Sequence, residues 1–180
     1  MISEKMVNRI QENADVLSER VIKDFLTREE TKSYRRLNKD ILYERVFDVC
    51  SRLDSWLMGN KVKGEIKNHY MDLGRQRFHE GIPLNELVMA IMLIKRHLWL
   101  YVQEEHFFES TFECHQALEF NNRVVLFFDR AIYFSSVGYE DEMHKYLGKP
   151  QGGVFFRRLK KKQASLNIER DPDLEDIPGR

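Results

Sequence analysis

Residues 70–90 read YMDLGRQRFHEGIPLNELVMA, and this stretch carries the clearest fold signal in the chain. Gly81 tolerates the left-handed backbone conformation that commonly ends a helix. Pro83 suits the first turn of a helix, because the N–H that proline lacks would have no partner there. Glu86 follows in that same turn, where the helix dipole favours a carboxylate. The stretch therefore predicts one helix that ends at Gly81 and a second that begins at Pro83.

On both sides of this turn, apolar residues recur at intervals of three and four, the spacing of one face of an α-helix. Runs that alternate apolar and polar residues, as strands do, are absent from the sequence. The pattern predicts an all-α fold, a helical bundle of about five main helices. The five apolar stripes lie within residues 7–21, 42–56, 62–77, 84–102 and 112–132.

Other residues mark where these helices begin and end. Gly59 and Asn60 predict the end of the second helix, since both residue types tolerate the left-handed conformation. The pattern Ser110–Glu113 predicts a capping box that opens the fifth helix. A second such pattern, Thr27–Glu30, predicts a capping box that opens a short additional helix.

The length of 180 residues predicts one domain with a tail. Glycine and proline break the helical pattern from Gly148 onward, so we expect a helical domain over residues 1–147 and a flexible charged tail over 148–180. The formal net charge is zero, which argues against a protein that coats nucleic acid. The tail's basic stretch, residues 155–162, is interpreted as a solvated segment, because an acidic stretch follows it. We expect no nucleic-acid partner and no membrane partner.

The chain is expected to be cytoplasmic. Its longest apolar run, residues 87–94, is too short to span a bilayer. Its N-terminus has no apolar region of the kind that a secretory signal requires. Cys50 and Cys114 fit reduced thiols in that compartment.

No sequence motif indicates an enzyme. The sequence has no hydrolase nucleophile elbow, no HExxH, no phosphate-binding loop and no dinucleotide fingerprint. Cys114 and His115 are adjacent, so on a helix their side chains diverge and do not form a metal site. We therefore expect no catalytic residue, no metal and no cofactor. The alternative is a haem protein, and His69 is the best candidate ligand because it lies closest to an apolar stripe.

The candidate ligand-binding residues are Tyr70, Gly74, Arg77 and Glu86. A glycine inside a helix costs roughly 1 kcal/mol relative to alanine, so Gly74 indicates close approach of another backbone or of a ligand. Arg77 lies on the apolar stripe with Tyr70, where a charge needs a partner. We predict that Arg77 is buried and that Glu86 is its partner across the turn.

This part of the chain resembles the sensory N-terminal domain of the RsbR family, the co-antagonist proteins of the bacterial general stress response. The resemblance covers roughly residues 5–143. Its first motifs are Tyr70, Leu73-Gly74, Arg77, Gly81-Ile82-Pro83-Leu84, Glu86, Lys95-Arg96 and Leu98-Trp99. A later block, Phe127–Tyr133 followed by Gly138-Tyr139-Glu140, is similar to the end of the same domain.

The resemblance implies a globin-like helical fold that holds no haem, is usually a homodimer and serves as a signal-input module. Globin-coupled sensors have a similar stretch in which a histidine ligand precedes a Gly-Ile-Pro or Gly-Leu-Pro turn. In this sequence that position is Arg77. A guanidinium stays protonated and is a poor ligand for iron.

RsbR-type proteins usually continue into a STAS domain, whereas only 33 residues follow Leu147 here. The resemblance then implies a separate output or signalling protein as partner. We interpret the chain as a non-catalytic signal-input domain that binds a small-molecule ligand or a partner protein. The alternatives are a haem- or tetrapyrrole-binding globin-type sensor and a purely structural interaction module.

Overall fold

The computed structural model describes residues 2–57, 63–104 and 110–147. Every secondary-structure element in these ranges is helical, which confirms the all-α prediction. The elements are α1 (Ile2–Glu12), α2 (Ala14–Thr27), a 3₁₀ segment (Glu29–Arg36), α3 (Lys39–Ser51), α4 (Leu53–Leu57), α5 (Lys63–His79), α6 (Leu84–Glu104) and α7 (Thr111–Tyr146).

Two of the five predicted helices are each divided by one non-helical residue. Asn13 separates α1 from α2 with φ −116° and ψ 24°, and its side-chain amide donates to the carbonyl of Arg9 at 2.9 Å. Arg52 separates α3 from α4 with φ −107° and ψ 16°. Asparagine side chains compete for backbone partners, so a break at Asn13 has a local cause that apolar spacing does not report.

The turn at Gly81 forms as the sequence predicts. Gly81 has φ 69°, in the left-handed region. Its N–H donates to the carbonyl of Phe78 at 3.0 Å, and the N–H of Ile82 donates to the carbonyl of Arg77 at 3.1 Å. These two hydrogen bonds form a Schellman motif, which satisfies the last carbonyls of α5. Pro83 stands just before α6, and its carbonyl accepts from Glu86.

Of the two predicted capping boxes, one forms and one does not. Ser110 and Glu113 bond reciprocally: the N–H of Glu113 donates to Ser110 Oγ at 3.2 Å, and the N–H of Ser110 donates to Glu113 Oε2 at 3.1 Å. The box at Thr27 is wrong. The Thr27 hydroxyl donates back to the carbonyl of Lys23 at 2.9 Å, so the 3₁₀ segment begins without a side-chain cap.

The hydrophobic core draws side chains from all seven described α-helices and from the 3₁₀ segment. Most of its apolar residues fall within the predicted stripes, although Met6, Tyr34 and Ile82 lie outside them. The fifth stripe is partly wrong, because its members Phe112 and Leu118 are exposed. The largest fully buried side chains include Met6, Ile10, Leu17, Leu42 and Phe128. Both cysteines are free thiols, Cys50 buried and Cys114 exposed.

Two compact units make up the chain, residues 1–143 and 144–180. The second unit is described only over residues 144–147, of which His144–Tyr146 form the last turn of α7. The predicted tail, 148–180, and the predicted helix end at Gly59-Asn60 lie outside the described residues. None of the helices in the described ranges is long and apolar enough to cross a membrane.

Candidate functional site

Helix α5 places three of the four candidate residues on one face. Tyr70, Gly74 and Arg77 are spaced by four and three residues, so their side chains project in similar directions. Tyr70 is buried, and its ring lies edge-on to Phe127 of α7 with centroids 5.8 Å apart. Burial raises the pKa of Tyr70. This residue therefore packs α5 against α7.

At Gly74 the backbones of α5 and α7 lie close together. A Cβ atom at Gly74 would stand 1.9 Å from the carbonyl oxygen of Ser135. The contact is reciprocal, because a Cβ at Gly138 would stand 2.0 Å from the carbonyl oxygen of Met71. The sequence left open whether a backbone or a ligand approaches Gly74, and the neighbour is the backbone of α7.

Arg77 is buried, with 4% of its surface exposed. Its Nη1 donates to Glu80 Oε2 at 2.8 Å. The same carboxylate accepts two bonds from Arg45 of α3: Nη1 donates to Oε2 at 3.1 Å and Nη2 to Oε1 at 2.5 Å. The predicted partner of Arg77, Glu86, was wrong. Glu80 lies three residues along the same helix end, so it reaches Arg77 without crossing the turn.

Glu86 is buried as well, and it bonds to another element. Its Oε2 accepts from the Ser33 N–H at 2.7 Å, and its Oε1 accepts from the Ser33 hydroxyl at 2.9 Å. Both oxygens thus accept hydrogen bonds from the 3₁₀ segment, which explains why Glu86 does not pair with Arg77. The Glu86–Ser33 link ties the first turn of α6 to a residue 53 positions earlier in the chain.

Tyr34 lies beside these charged groups. It is 4% exposed, and its ring centroid is 5.2 Å from that of Phe25. Burial raises the pKa of Tyr34 to about 12, with Arg77 opposing that shift more than any other charge. We call Tyr34, Arg45, Arg77 and Glu80 the Arg77 cluster.

The electrostatics of the cluster follow from burial and pairing. Burial lowers the pKa of Arg77 and the like charge of Arg45 lowers it further, while Glu80 opposes both. For Glu80, burial raises the pKa of the carboxyl, but hydrogen bonds and charge from Arg45 and Arg77 outweigh it and the net pKa is lowered. The cluster therefore holds charged groups that suit anion binding or helix coupling rather than proton transfer.

Sequence reasoning missed four residues of this region: Ser33, Tyr34, Arg45 and Glu80. The i, i+3 spacing to Arg77 was a signal that could have identified Glu80. Arg45 is 35 positions from Glu80, and Ser33 is 53 positions from Glu86. No local spacing rule reports contacts at such separations.

No histidine in the described ranges is fully buried. His69, the candidate haem ligand, is exposed on α5. His97 instead lies 3.0 Å from the Asp24 carboxylate, which also accepts a 2.6 Å bond from Arg28. In the part of the chain that the structure describes, no three His, Cys, Asp or Glu side chains are grouped so that they could hold a metal ion.

A separate groove of about 410 Å³ lies between α2 and α3. Its walls include Ile22, Leu26 and Tyr43. None of the four predicted ligand-binding residues lines it, so the predicted site and this groove are different places.

Comparison with known proteins identifies a family. No curated protein and no solved structure matches the chain significantly. The family described as the RsbT co-antagonist protein rsbRD N-terminal domain matches residues 15–148, about three quarters of the chain. The match spans α2 to α7 and therefore includes the Arg77 cluster and the Glu86–Ser33 link. The chain belongs to the family of rsbRD-type N-terminal domains of RsbT co-antagonist proteins.

Proposed function

We propose that the chain is a non-catalytic, cytoplasmic signal-input domain that binds a small ligand or a partner protein and acts on a separate signalling protein. Family membership supports this proposal, since the family consists of N-terminal regulatory domains of stress-signalling co-antagonists. The absence of a catalytic motif in the sequence is consistent with it.

The observation that carries the proposal is the charged junction between four elements. Arg45 of α3 and Arg77 of α5 share the Glu80 carboxylate, and Glu86 of α6 binds Ser33 of the 3₁₀ segment. Buried charges tolerate few geometries, because each must keep its partners. A ligand or partner that changed one of these bonds would therefore alter how the elements pack, which is how an input domain changes state.

The predicted ligand-binding residues divide into two roles in this proposal. Arg77 and Glu86 hold the junction, where binding would change the hydrogen bonds between the elements. Tyr70 and Gly74 pack the same helix onto α7, so a shift of α5 would be transmitted to α7. Packed helices move as rigid elements, which makes α7 the route by which a signal would leave the domain.

We also propose that the chain forms a homodimer through α6 and α7. Lys95 of α6 pairs with Asp129 of α7 at 2.8 Å. Leu126 and Tyr133 stand one turn on either side of Asp129, and both are exposed apolar side chains. Met92, one turn before Lys95, is exposed too. These side chains form an apolar face on the two adjacent helices, as helix–helix interfaces require.

Sedimentation analysis tests the dimer. Leu126→Arg should convert it to a monomer, whereas Ile41→Arg should not, because Ile41 is equally exposed on α3 and away from this face. A wild-type chain that sediments as a monomer at high concentration would exclude the dimer.

A chimera tests the function. The whole chain would replace the N-terminal domain of an RsbR-type protein ahead of that protein's STAS domain, and stress-response output would be measured in bacteria. We expect regulated output that Arg77→Gln alters and that Arg123→Gln, which removes an exposed charge on α7, leaves unchanged. Output identical to that of the STAS domain alone would contradict the proposal.

A further inference from the structure

Arg77 has more hydrogen-bond donors than the protein satisfies. A guanidinium carries five N–H donors. Among the described residues Arg77 makes one side-chain hydrogen bond, from Nη1 to Glu80. The remaining N–H groups of Arg77 are therefore available to water or to a ligand.

The open donors are not sealed inside the protein. In the described part of the chain, Arg75 Nε and Ser135 Oγ are the side-chain polar atoms that are fully enclosed without a partner. Nε and Nη2 of Arg77 and the hydroxyl of Tyr34 are not among these enclosed atoms. Arg45 and Glu80 are 25% and 20% exposed, which gives the cluster an edge that a solute can reach.

The Arg77 cluster contains more cationic than anionic groups. Two guanidiniums share one carboxylate in the Arg77 cluster, so one positive charge is in excess. Glu86 adds a negative charge nearby, but its oxygens accept from Ser33 and make no hydrogen bond to either arginine. The hydroxyl of Tyr34 stays protonated at neutral pH, since burial raises its pKa to about 12, and it can therefore donate.

We propose that the Arg77 cluster binds a small oxyanion, a carboxylate or a phosphoryl group, through the open N–H groups of Arg77 and the hydroxyl of Tyr34. This inference rests on the proposed input function and names the class of its ligand. A guanidinium matches such groups because it presents parallel donors to two oxygens. The bound oxyanion competes with Glu80 for the arginines, and that competition loosens the bond between α3 and α5.

Titration of the full chain with inorganic phosphate, at constant ionic strength held with chloride, tests the proposal. Calorimetry should show saturable binding, and the Nε–Hε resonance of Arg77 should shift in the ¹⁵N NMR spectrum. Parallel titrations with acetate and malonate distinguish a carboxylate ligand from a phosphoryl ligand. Tighter binding of phosphate would support a phosphoryl ligand, and tighter binding of acetate or malonate would support a carboxylate ligand.

Variants connect the binding to these residues. Tyr34→Phe keeps the ring on Phe25 and removes one donor to a charged group, so binding should weaken about tenfold. Glu80→Gln removes the competing carboxylate and should tighten binding. Arg77→Gln should abolish it, and Arg123→Gln, the matched charge control, should leave it unchanged.

Three results would overturn the proposal: no saturable binding of any of the anions, an unshifted Arg77 resonance, or equal affinity in Tyr34→Phe, Glu80→Gln and wild type. If Arg77→Gln does not fold, the Arg77 resonance of wild type and the affinities of Tyr34→Phe and Glu80→Gln still test the proposal. Because the titration uses the isolated chain and the chimera measures cellular output, regulated output without anion binding would reject the ligand class and keep the input function.

Discussion

At the scale of single residues, a guanidinium as buried as that of Arg77 requires a carboxylate within hydrogen-bond distance. Two carboxylates flank the Gly81 turn, and the bond goes to Glu80, at the end of the same helix. Arg45 then reinforces Glu80 from α3 with two bonds. The pairing of Arg77 is thus set locally, while its link to the rest of the fold passes through Arg45.

A double-mutant cycle checks this assignment. Arg77→Gln should lower the free energy of unfolding by about 2–3 kcal/mol, less than a fully buried pair would lose because Glu80 is partly exposed. Arg77→Gln combined with Glu80→Gln should show a coupling energy above about 1 kcal/mol. The cycle of Arg77→Gln with Glu86→Gln, which tests the partner that the structure rejects, should couple by less than about 0.5 kcal/mol.

Acid should destabilise the protein through Glu80. The folded state holds the pKa of this carboxyl below its ordinary value of 4.5, so the unfolded state binds more protons in acid. The stabilisation is complete above that value and is lost as the pH falls through the lower, folded pKa. Urea unfolding at a series of pH values should show wild type losing stability below pH ~4.5.

The comparison with Glu80→Gln isolates the contribution of this residue. The free-energy difference between wild type and the variant should be largest near neutral pH and shrink in acid. A difference that stays constant from neutral pH to pH ~3 would mean that the Glu80 charge contributes nothing. Asp24, whose pKa is also lowered, should add a separate decline that the variant retains.

At the scale of elements, the contact of α5 with α7 depends on the absence of two side chains. Gly74 and Gly138 each stand against a backbone carbonyl of the other helix, and backbone atoms cannot rotate aside as a side chain can. Tyr70, one turn before Gly74, packs against Phe127 of α7. The two helices therefore meet at a position where even one methyl group would force them apart.

Replacing Gly74 by alanine should destabilise the protein despite the better helix propensity of alanine. The new Cβ would stand 1.9 Å from the Ser135 oxygen, and overpacking of this kind typically costs about 1–3 kcal/mol. Gly64→Ala is the matched control in the same helix, since no neighbour lies within 4 Å of its Cβ position. Thermal unfolding should show a lower midpoint for Gly74→Ala and an equal or higher one for Gly64→Ala.

The sequence predicted element types well because helices follow local rules. Apolar spacing, the left-handed Gly81 and the capping box at Ser110 each depend on residues within one or two turns of each other. The breaks at Asn13 and Arg52 escaped prediction, because apolar spacing continues across them. For the site, burial of Arg77 was correct, but its partners depend on how distant elements dock, and one sequence contains no rule for that.

At the scale of the whole molecule, the junction connects the first and second halves of the helical chain. Ser33 and Arg45 lie in the first half, and Glu80 and Glu86 belong to the segment around the Gly81 turn. The turn joins α5 to α6, so a change at either ion pair or at the Ser33 link acts on both helices. A change in the hydrogen bonds of the Arg77 cluster thus affects the packing of the 3₁₀ segment, α3, α5 and α6 together.

The same arrangement predicts that the protein binds no haem. In the sequence resemblance to globin-coupled sensors, the position of their histidine falls on Arg77, whose guanidinium is bonded to Glu80. His69, the nearest alternative, is exposed on α5 rather than turned toward the core. Titration of the purified chain with haem should therefore give no sharp, stoichiometric Soret band, and His69→Ala should behave as wild type. A saturable Soret band that His69→Ala removes would show instead that α5 rotates to present His69, and the input function would then rest on the iron rather than on Arg77.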